Sequence, residues 1–292
     1  MRADIKQKLE EYLDSELVFE DILISSKNRV LKITANNKHY ILKIFNAQEM
    51  GFVKHQKSHL LSFQRELNAL KIFSKFDEVP NLLTYGKDWY LTNYFSGKQL
   101  KYNINSCKKA LDFIIKIHNL KTNSGSNAVK DYKDKLEEAK LRLNEFLPQK
   151  YCEKKLFKIL DAFSKYYKII KTESNCTIHG DFVNRNILVN KNILIIDWEN
   201  SRLAPSAEDL VFFIESLKIS LDEKKELINY YNQKTNKNHP NKIYKILELF
   251  FQYRLLGTTV RIKHKNIDKY SEKIEKIIEN IYSLDGEINV IE

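Results

Sequence analysis

Two stretches of the chain set polar residues between apolar ones. The first is Thr177–Val189 (TIHGDFVNRNILV) and the second is Ile193–Glu199 (ILIIDWE). Apolar runs of this kind hold backbone rigidly while the polar side chains project from it. A carboxylate beside a hydroxyl can orient it and take its proton as a bond forms. Carboxylate and amide oxygens are also the donors that a hard cation such as magnesium prefers. Asp181, Asn186 and Asp197 supply such groups close to His179, with the two aspartates sixteen positions apart. Each residue alone has a plainer reading. Asp181 and Asn186 can cap a turn, His179 can be a core histidine with satisfied ring nitrogens, and Asp197 can simply end a strand. The four at this spacing favour a shared site.

The pattern resembles the aminoglycoside phosphotransferase and choline kinase superfamily, which has a protein-kinase-like fold. The family's catalytic loop, H-G-D-x-x-x-x-N, matches His179, Gly180, Asp181 and Asn186. Its following strand, ending in I-D-W/F-E, matches Ile196, Asp197, Trp198 and Glu199. The resemblance runs from about residue 18 to 265. It implies transfer of the γ-phosphate of ATP or GTP to a hydroxyl, in which the protein chiefly positions groups and neutralises phosphate charge. It assigns Asp181 as the catalytic base, Asn186 and Asp197 as magnesium ligands, and His179 as a brace of the loop. Gly180 allows the tight turn. Arg185 stands where many members carry glycine. Two roles stay open for it, contact with a γ-phosphate oxygen or pairing with a surface carboxylate.

The elements that must position these groups lie on both sides of them. Residues 18–45 alternate apolar and polar positions, which predicts two or three antiparallel strands, with Asn36 and Asn37 as a hairpin turn. Tyr40–Phe45 (YILKIF) puts Lys43 inside an apolar strand, where a charge is costly without partners. The helical pattern over 60–75 offers Glu66. The resemblance pairs Lys43 with Glu66 and gives the lysine to the nucleotide's α and β phosphates. The alternative is a lysine on the polar face of an edge strand. Strands follow at Leu82–Tyr85 and Trp89–Tyr94, with Gly86-Lys87-Asp88 as their turn. Trp89–Gly97 is then the hinge, whose backbone at Asn93, Tyr94 and Phe95 would meet an adenine ring. The hairpin at residues 23–30 has no glycine-rich loop, so Ser25, Ser26 and Asn28 are the candidate phosphate donors there.

Residues 201–211 (SRLAPSAEDLV) resemble the family's proline followed by an aspartate-leucine pair opening a helix. Asp209 is read as steadying that helix start or the catalytic loop. Glu199 and Glu208 can instead attract a cationic acceptor. Phe212, Phe213, Tyr253 and Arg254 are acceptor-site candidates, and for the three aromatics core packing is the stronger explanation.

The fold class expected is α+β, with two lobes. Residues 1–97 form a small lobe with an N-terminal helix, an antiparallel sheet, the Glu66 helix and the hinge. Residues 98–292 form a mostly helical lobe carrying the catalytic loop and metal site. The cut near Ser96–Leu100 follows the shift from mixed to helical composition. Residues 103–120, 131–146 and 153–171 read as helices, as does most of 207–284.

Of the 292 residues 43% are hydrophobic, so the chain is not disordered. No run of about 18 apolar residues suggests a membrane span. The net charge of +11 comes from lysines interleaved with acids, which favours solvated faces over nucleic-acid binding. Three scattered cysteines argue against a disulfide framework or a structural zinc site and read as partly buried free thiols. These features and an N-terminus without a secretory pattern suggest a cytoplasmic protein. Composition carries no expectation about oligomeric state. Val183 in place of a lysine, and no DFG or activation segment, disfavour a protein-phosphorylating kinase. A non-catalytic nucleotide-binding scaffold is the other rival. The expected acceptor is a small molecule: an aminoglycoside, choline or another amino alcohol, a sugar or a thiamine-like metabolite.

Overall fold

The computed structural model describes residues 2–24, 28–45, 56–120, 128–172, 175–236 and 239–291. In chain order it contains α1 (Ala3–Leu13), β1 (Val18–Ile24), β2 (Asn28–Ala35), β3 (Lys38–Phe45), α2 (Gln56–Ile72), β4 (Leu82–Tyr85), β5 (Trp89–Asn93) and β6 (Lys98–Gln99). Then come α3 (Ile104–His118), α4 (Ala128–Phe146), α5 (Lys154–Ala162), α6 (Tyr167–Thr172) and β7 (Asn175–Ile178). After β8 (Ile187–Val189), β9 (Ile193–Ile195) and β10 (Arg202–Pro205), the chain ends in α7 (Ala207–Leu217), α8 (Leu221–Thr235), α9 (Asn241–Lys263) and α10 (Ser271–Val290). An antiparallel sheet followed by mostly helix is the α+β arrangement that the alternating and helical patterns predict.

The chain divides into two compact units. One comprises Met1–Leu100 and Arg185–Ser201, and the other Lys101–Asn184 and Arg202–Glu292. The division is thus discontinuous in sequence, unlike the single cut near Ser96–Leu100 drawn from composition.

In the first unit, five antiparallel strands form a sheet in the order β1-β2-β3-β5-β4. Side chains alternate across a strand. Leu31, Ile33, Leu42, Ile44 and Leu91 therefore share one face, where they pack with Ile5 and Leu9 of α1. Lys43 and Phe45 point to the other face, and Phe45 meets Phe63 of α2 with ring centroids 5.1 Å apart. Asn36 and Asn37 have φ of 49° and 58°, the positive values that a two-residue hairpin with this twist requires. Strands β6, β8 and β9 make a second, three-stranded sheet. Trp198 anchors this late segment: it is fully buried, packs on Phe73 at 5.1 Å, and donates from Nε1 to the Ile195 carbonyl at 2.8 Å.

The second unit is built around α9, which packs on α4, α7 and α10. Phe250 of α9 meets the rings of Tyr132, Phe212 and Phe163 at 4.8, 6.0 and 6.1 Å. β7 pairs antiparallel with β10, setting Ile178 opposite Arg202. The stretch 153–171, which reads as one helix, is broken by a 3-10 turn at Phe163–Tyr166. The tighter turn aligns residues three apart, so Phe163 and Tyr166 are both buried, with rings 5.4 Å apart. Among the described residues, no helix is long and apolar enough to cross a membrane.

Candidate active site

In the first unit, strand alternation turns Lys43 toward α2. Its Nζ lies 2.7 Å from Glu66 Oε2 and 2.5 Å from Asp197 Oδ1. Tyr90 donates its hydroxyl to Glu66 Oε1 at 2.9 Å. Lys43 and Glu66 are buried, whereas the Asp197 side chain is 35% exposed. Asp197 has φ 70° and ψ 55°, a left-handed conformation that costs a non-glycine residue free energy and tends to occur where function demands it. Two residues later, Glu199 accepts from Asn28 Nδ2 at 3.2 Å. Glu66, Asp197 and Glu199 each bring a carboxylate oxygen within 4.8 Å of the others.

The electrostatics follow from three acids gathered around one base. Burial disfavours the Lys43 ammonium, but Asp197 and Glu66 outweigh it and hold the pKa well above the usual lysine value. Burial pushes the Glu66 carboxyl up to about 7 against the pull of Lys43, and Asp197 and Glu199 add to the rise. Three carboxylates therefore gather around the Lys43 ammonium among the described residues. Their hard, partly open oxygen donors fit magnesium. Asn186 is buried beside it, its backbone carbonyl accepting the Ile196 N–H at 2.9 Å.

In the second unit, the loop after β7 is held from beneath. Gly180 has φ 75°, in the region that favours glycine. Asp209, fully buried at the start of α7, accepts the His179 N–H at 2.7 Å and the Gly180 N–H at 2.9 Å. His118 Nε2 lies 3.1 Å from Asp209 Oδ2, and its Nδ1 is 2.8 Å from the Tyr231 hydroxyl. Burial works to raise the Asp209 pKa, but the His118 hydrogen bond and the charges of His118 and His179 hold it below the usual carboxylate value. His179 Nδ1 accepts the Asp181 N–H at 3.2 Å. Arg254 completes the loop's surroundings. It donates from Nη1 to the Gly180 carbonyl at 3.0 Å, its Nη2 is 3.5 Å from Asp181 Oδ1, and its guanidinium lies 5.1 Å from the Phe212 ring centroid.

The remaining sequence candidates fall in several places. Ser25 and Ser26 lie outside the described residues. Arg185 is exposed on the 3-10 turn Asn184–Asn186. The Tyr94 N–H is spent on the His39 carbonyl at 3.2 Å and the Asn93 N–H reaches the Asn81 carbonyl at 3.4 Å, while the Phe95 carbonyl accepts from Gly97. Glu208 is no receptor for a cation. It is fully buried, bound by Arg202 at 2.6 and 2.7 Å and by the Tyr132 hydroxyl. Phe212, Phe213 and Tyr253 are core residues. Sequence reasoning missed His118, Tyr231, Tyr90 and the contact of Arg254 with Asp181. The one local signal was His118 itself, a titratable group at the end of the apolar face of α3.

A profile of the phosphotransferase enzyme family matches residues 21–239. The chain belongs to this family. The phosphotransferase is 22% identical to "Protein LicA homolog" of Mycoplasma capricolum over 174 residues, which are 59% of this chain and 68% of that protein. Choline kinase LicA from Streptococcus pneumoniae superposes with a TM-score of 0.72 at 15% identity, over 96% of this chain and 98% of that one. A choline kinase from Cryptosporidium parvum does so with a TM-score of 0.69 at 14% identity, over 93% and 90%. The fold is therefore the two-lobe, protein-kinase-like α+β fold of these kinases. The phosphotransferase is an ATP-dependent enzyme whose acceptor is an alcohol group.

Proposed function

We propose that this phosphotransferase moves the γ-phosphate of ATP or GTP to a hydroxyl of a small molecule, with Asp181 as base and Asn186 and Asp197 as magnesium ligands. The acceptor oxygen attacks the γ-phosphorus, a new O–P bond forms, and the bond to the β-phosphate oxygen breaks to release the nucleoside diphosphate. The hydroxyl proton passes to the Asp181 carboxylate and then to water. Arg254 orients that carboxylate, and Asp209 holds the backbone of the loop that carries it. Lys43, fixed by Glu66, binds the nucleotide's α and β phosphates, and the backbone at Asn93–Phe95 meets the base. Bound magnesium supplies neutralisation of phosphate charge. Choline, another amino alcohol, an aminoglycoside or a sugar is the acceptor class that the family suggests. We also assign the enzyme to the cytoplasm, in keeping with free thiols at Cys107, Cys152 and Cys176.

The observation that carries the reading is the buried Lys43 between Glu66 and Asp197. A lysine so placed costs stability unless its charge is used. The test is ADP release from ATP and magnesium across a panel of acceptors. Acceptor-dependent release that disappears in Asp181→Ala, with the unfolding midpoint retained, supports the proposal. Turnover that survives the substitution removes Asp181 as base. Magnesium-dependent nucleotide binding with no turnover on any acceptor would make the protein a scaffold.

A further inference from the structure

Asp209 is the inner end of a file of buried polar side chains that leads away from the catalytic loop. His118 Nε2 meets Asp209 Oδ2 at 3.1 Å, and His118 Nδ1 is 2.8 Å from the Tyr231 hydroxyl. Ser206 hydrogen-bonds Tyr231 in turn. Its Oγ also lies 3.1 Å from His239 Nε2. His118 ends α3, Tyr231 lies on α8, Ser206 precedes α7, and His239 stands in the link between α8 and α9. All four are buried. Ring contacts fix both ends of the file: His118 meets Tyr231 at 6.0 Å and His239 meets Tyr244 at 5.8 Å, each edge-on. A buried polar file of this kind specifies one arrangement only if its bonds are made together.

The hydrogens along the file allow two orders. The Asp209 carboxylate only accepts, so His118 Nε2 carries a proton in both. In the inward order His118 Nδ1 holds a lone pair. Tyr231 donates to it, Ser206 donates to Tyr231, and the His239 Nε2–H donates to Ser206. In the outward order each of these bonds is reversed. His118 Nδ1 then carries a second proton, and His239 Nε2 holds the lone pair. The outward order thus needs an imidazolium at His118. Asp209 already accepts two backbone N–H groups, at 2.7 and 2.9 Å, and such bonds favour a carboxylate without a cation. A buried cation adds a desolvation cost of its own. An uncharged ring also leaves the carboxylate charge to the His179 and Gly180 N–H groups, whose bonds gain from it. The imidazolium that lowers the Asp209 pKa belongs to the acid range in which a carboxyl titrates. Among the titratable groups around the file, Cys176 and Tyr244 stand near Tyr231 and His179 near Asp209.

We propose that Tyr231, Ser206 and His239 are positioning residues of the catalytic loop: their donors all point inward and hold His118, beneath Asp209, with its proton on Nε2 and a lone pair on Nδ1. Through Asp209 this order grips the backbone at His179 and Gly180. It is independent of which side chain acts as base.

Nitrogen-15 spectra of the histidine rings test it in the full-length protein at neutral pH, with His118 identified by its contact with the Tyr231 ring. His118 should show a protonated Nε2 and an unprotonated Nδ1, and His239 a protonated Nε2. A protonated Nδ1 at His118, or an unprotonated Nε2 at His239, overturns the inference. Amide hydrogen exchange reads the grip on the loop. Tyr231→Phe should speed exchange of the Gly180 N–H about tenfold relative to the Phe250 N–H, which is buried in α9 and follows global opening. His239→Ala should speed it about threefold. His239→Gln, which puts back an N–H donor, should keep the wild-type rate. A merely structural role would speed both amides alike. Equal changes at Gly180 and Phe250, or equal Gly180 rates in His239→Ala and His239→Gln, overturns the inference. The ring spectra need no variant, so they decide even where Tyr231→Phe does not fold. Turnover in Asp181→Ala bears on the base alone.

Discussion

The two buried charge clusters of this phosphotransferase are built to different ends. Around Asp209 every partner comes from the chain itself: two backbone N–H groups of the catalytic loop, and His118 backed by Tyr231. Asp209 is fully buried and its carboxylate is stabilised in place. Around Lys43 the cluster is left open. Three carboxylates gather around one ammonium among the described residues, and Asp197 stays open to solvent at 35% exposure. A buried charge with all its hydrogen bonds made steadies structure. A partly open cluster of carboxylates can take a counter-charge from outside. The difference separates a brace from a binding site.

The sharpest way to break this comparison is to remove the group that the brace presents. Asp181→Ala should lower acceptor-dependent turnover about a thousandfold, the range expected of a positioned general base, while steady-state nucleotide affinity changes little. Next in size, Asp209→Ala should destabilise the fold by about 3 kcal/mol, because its buried partners lose their counter-charge; urea unfolding measures this. Asp209 also sets a pH signature. Its native pKa is lower than its unfolded value, so its stabilisation is present above about 3.9 and is lost as pH falls through the native value. The gap in unfolding free energy between wild type and Asp209→Asn should be full at pH 6 and shrink below that range.

The Lys43 cluster should respond in the opposite manner. Magnesium at a hundred times its dissociation constant should add about 2.7 kcal/mol to stability, and Asp197→Asn should remove most of that gain without unfolding the metal-free protein. Lys43→Met should raise the KM for ATP, which steady-state kinetics measures. It leaves Glu66 buried beside Asp197 with no counter-charge, so the metal-free protein should lose stability as well. An unchanged KM beside that loss would make Lys43 part of the scaffold alone.

Much of this was legible without coordinates. Alternation in residues 18–45 set the strands and put Lys43 and Phe45 on one face, since side-chain direction in a strand is a local property. Asn36 and Asn37 marked their turn because asparagine tolerates positive φ. The loop after β7 and the strand that leads to Asp197 were legible as motifs because their polar residues are close in sequence.

Only tertiary structure decided which of these faces meet. Asp209 is joined to His118 across 91 positions, Asp181 to Arg254 across 73, and Glu199 to Asn28 across 171. The return of Arg185–Ser201 to the first unit, anchored by Trp198 on Phe73, belongs with them. Periodicity records which side of an element is apolar, but the partner it buries against is chosen by packing over the whole chain. The sequence thus determined the candidate residues, and the fold determined which charges surround them.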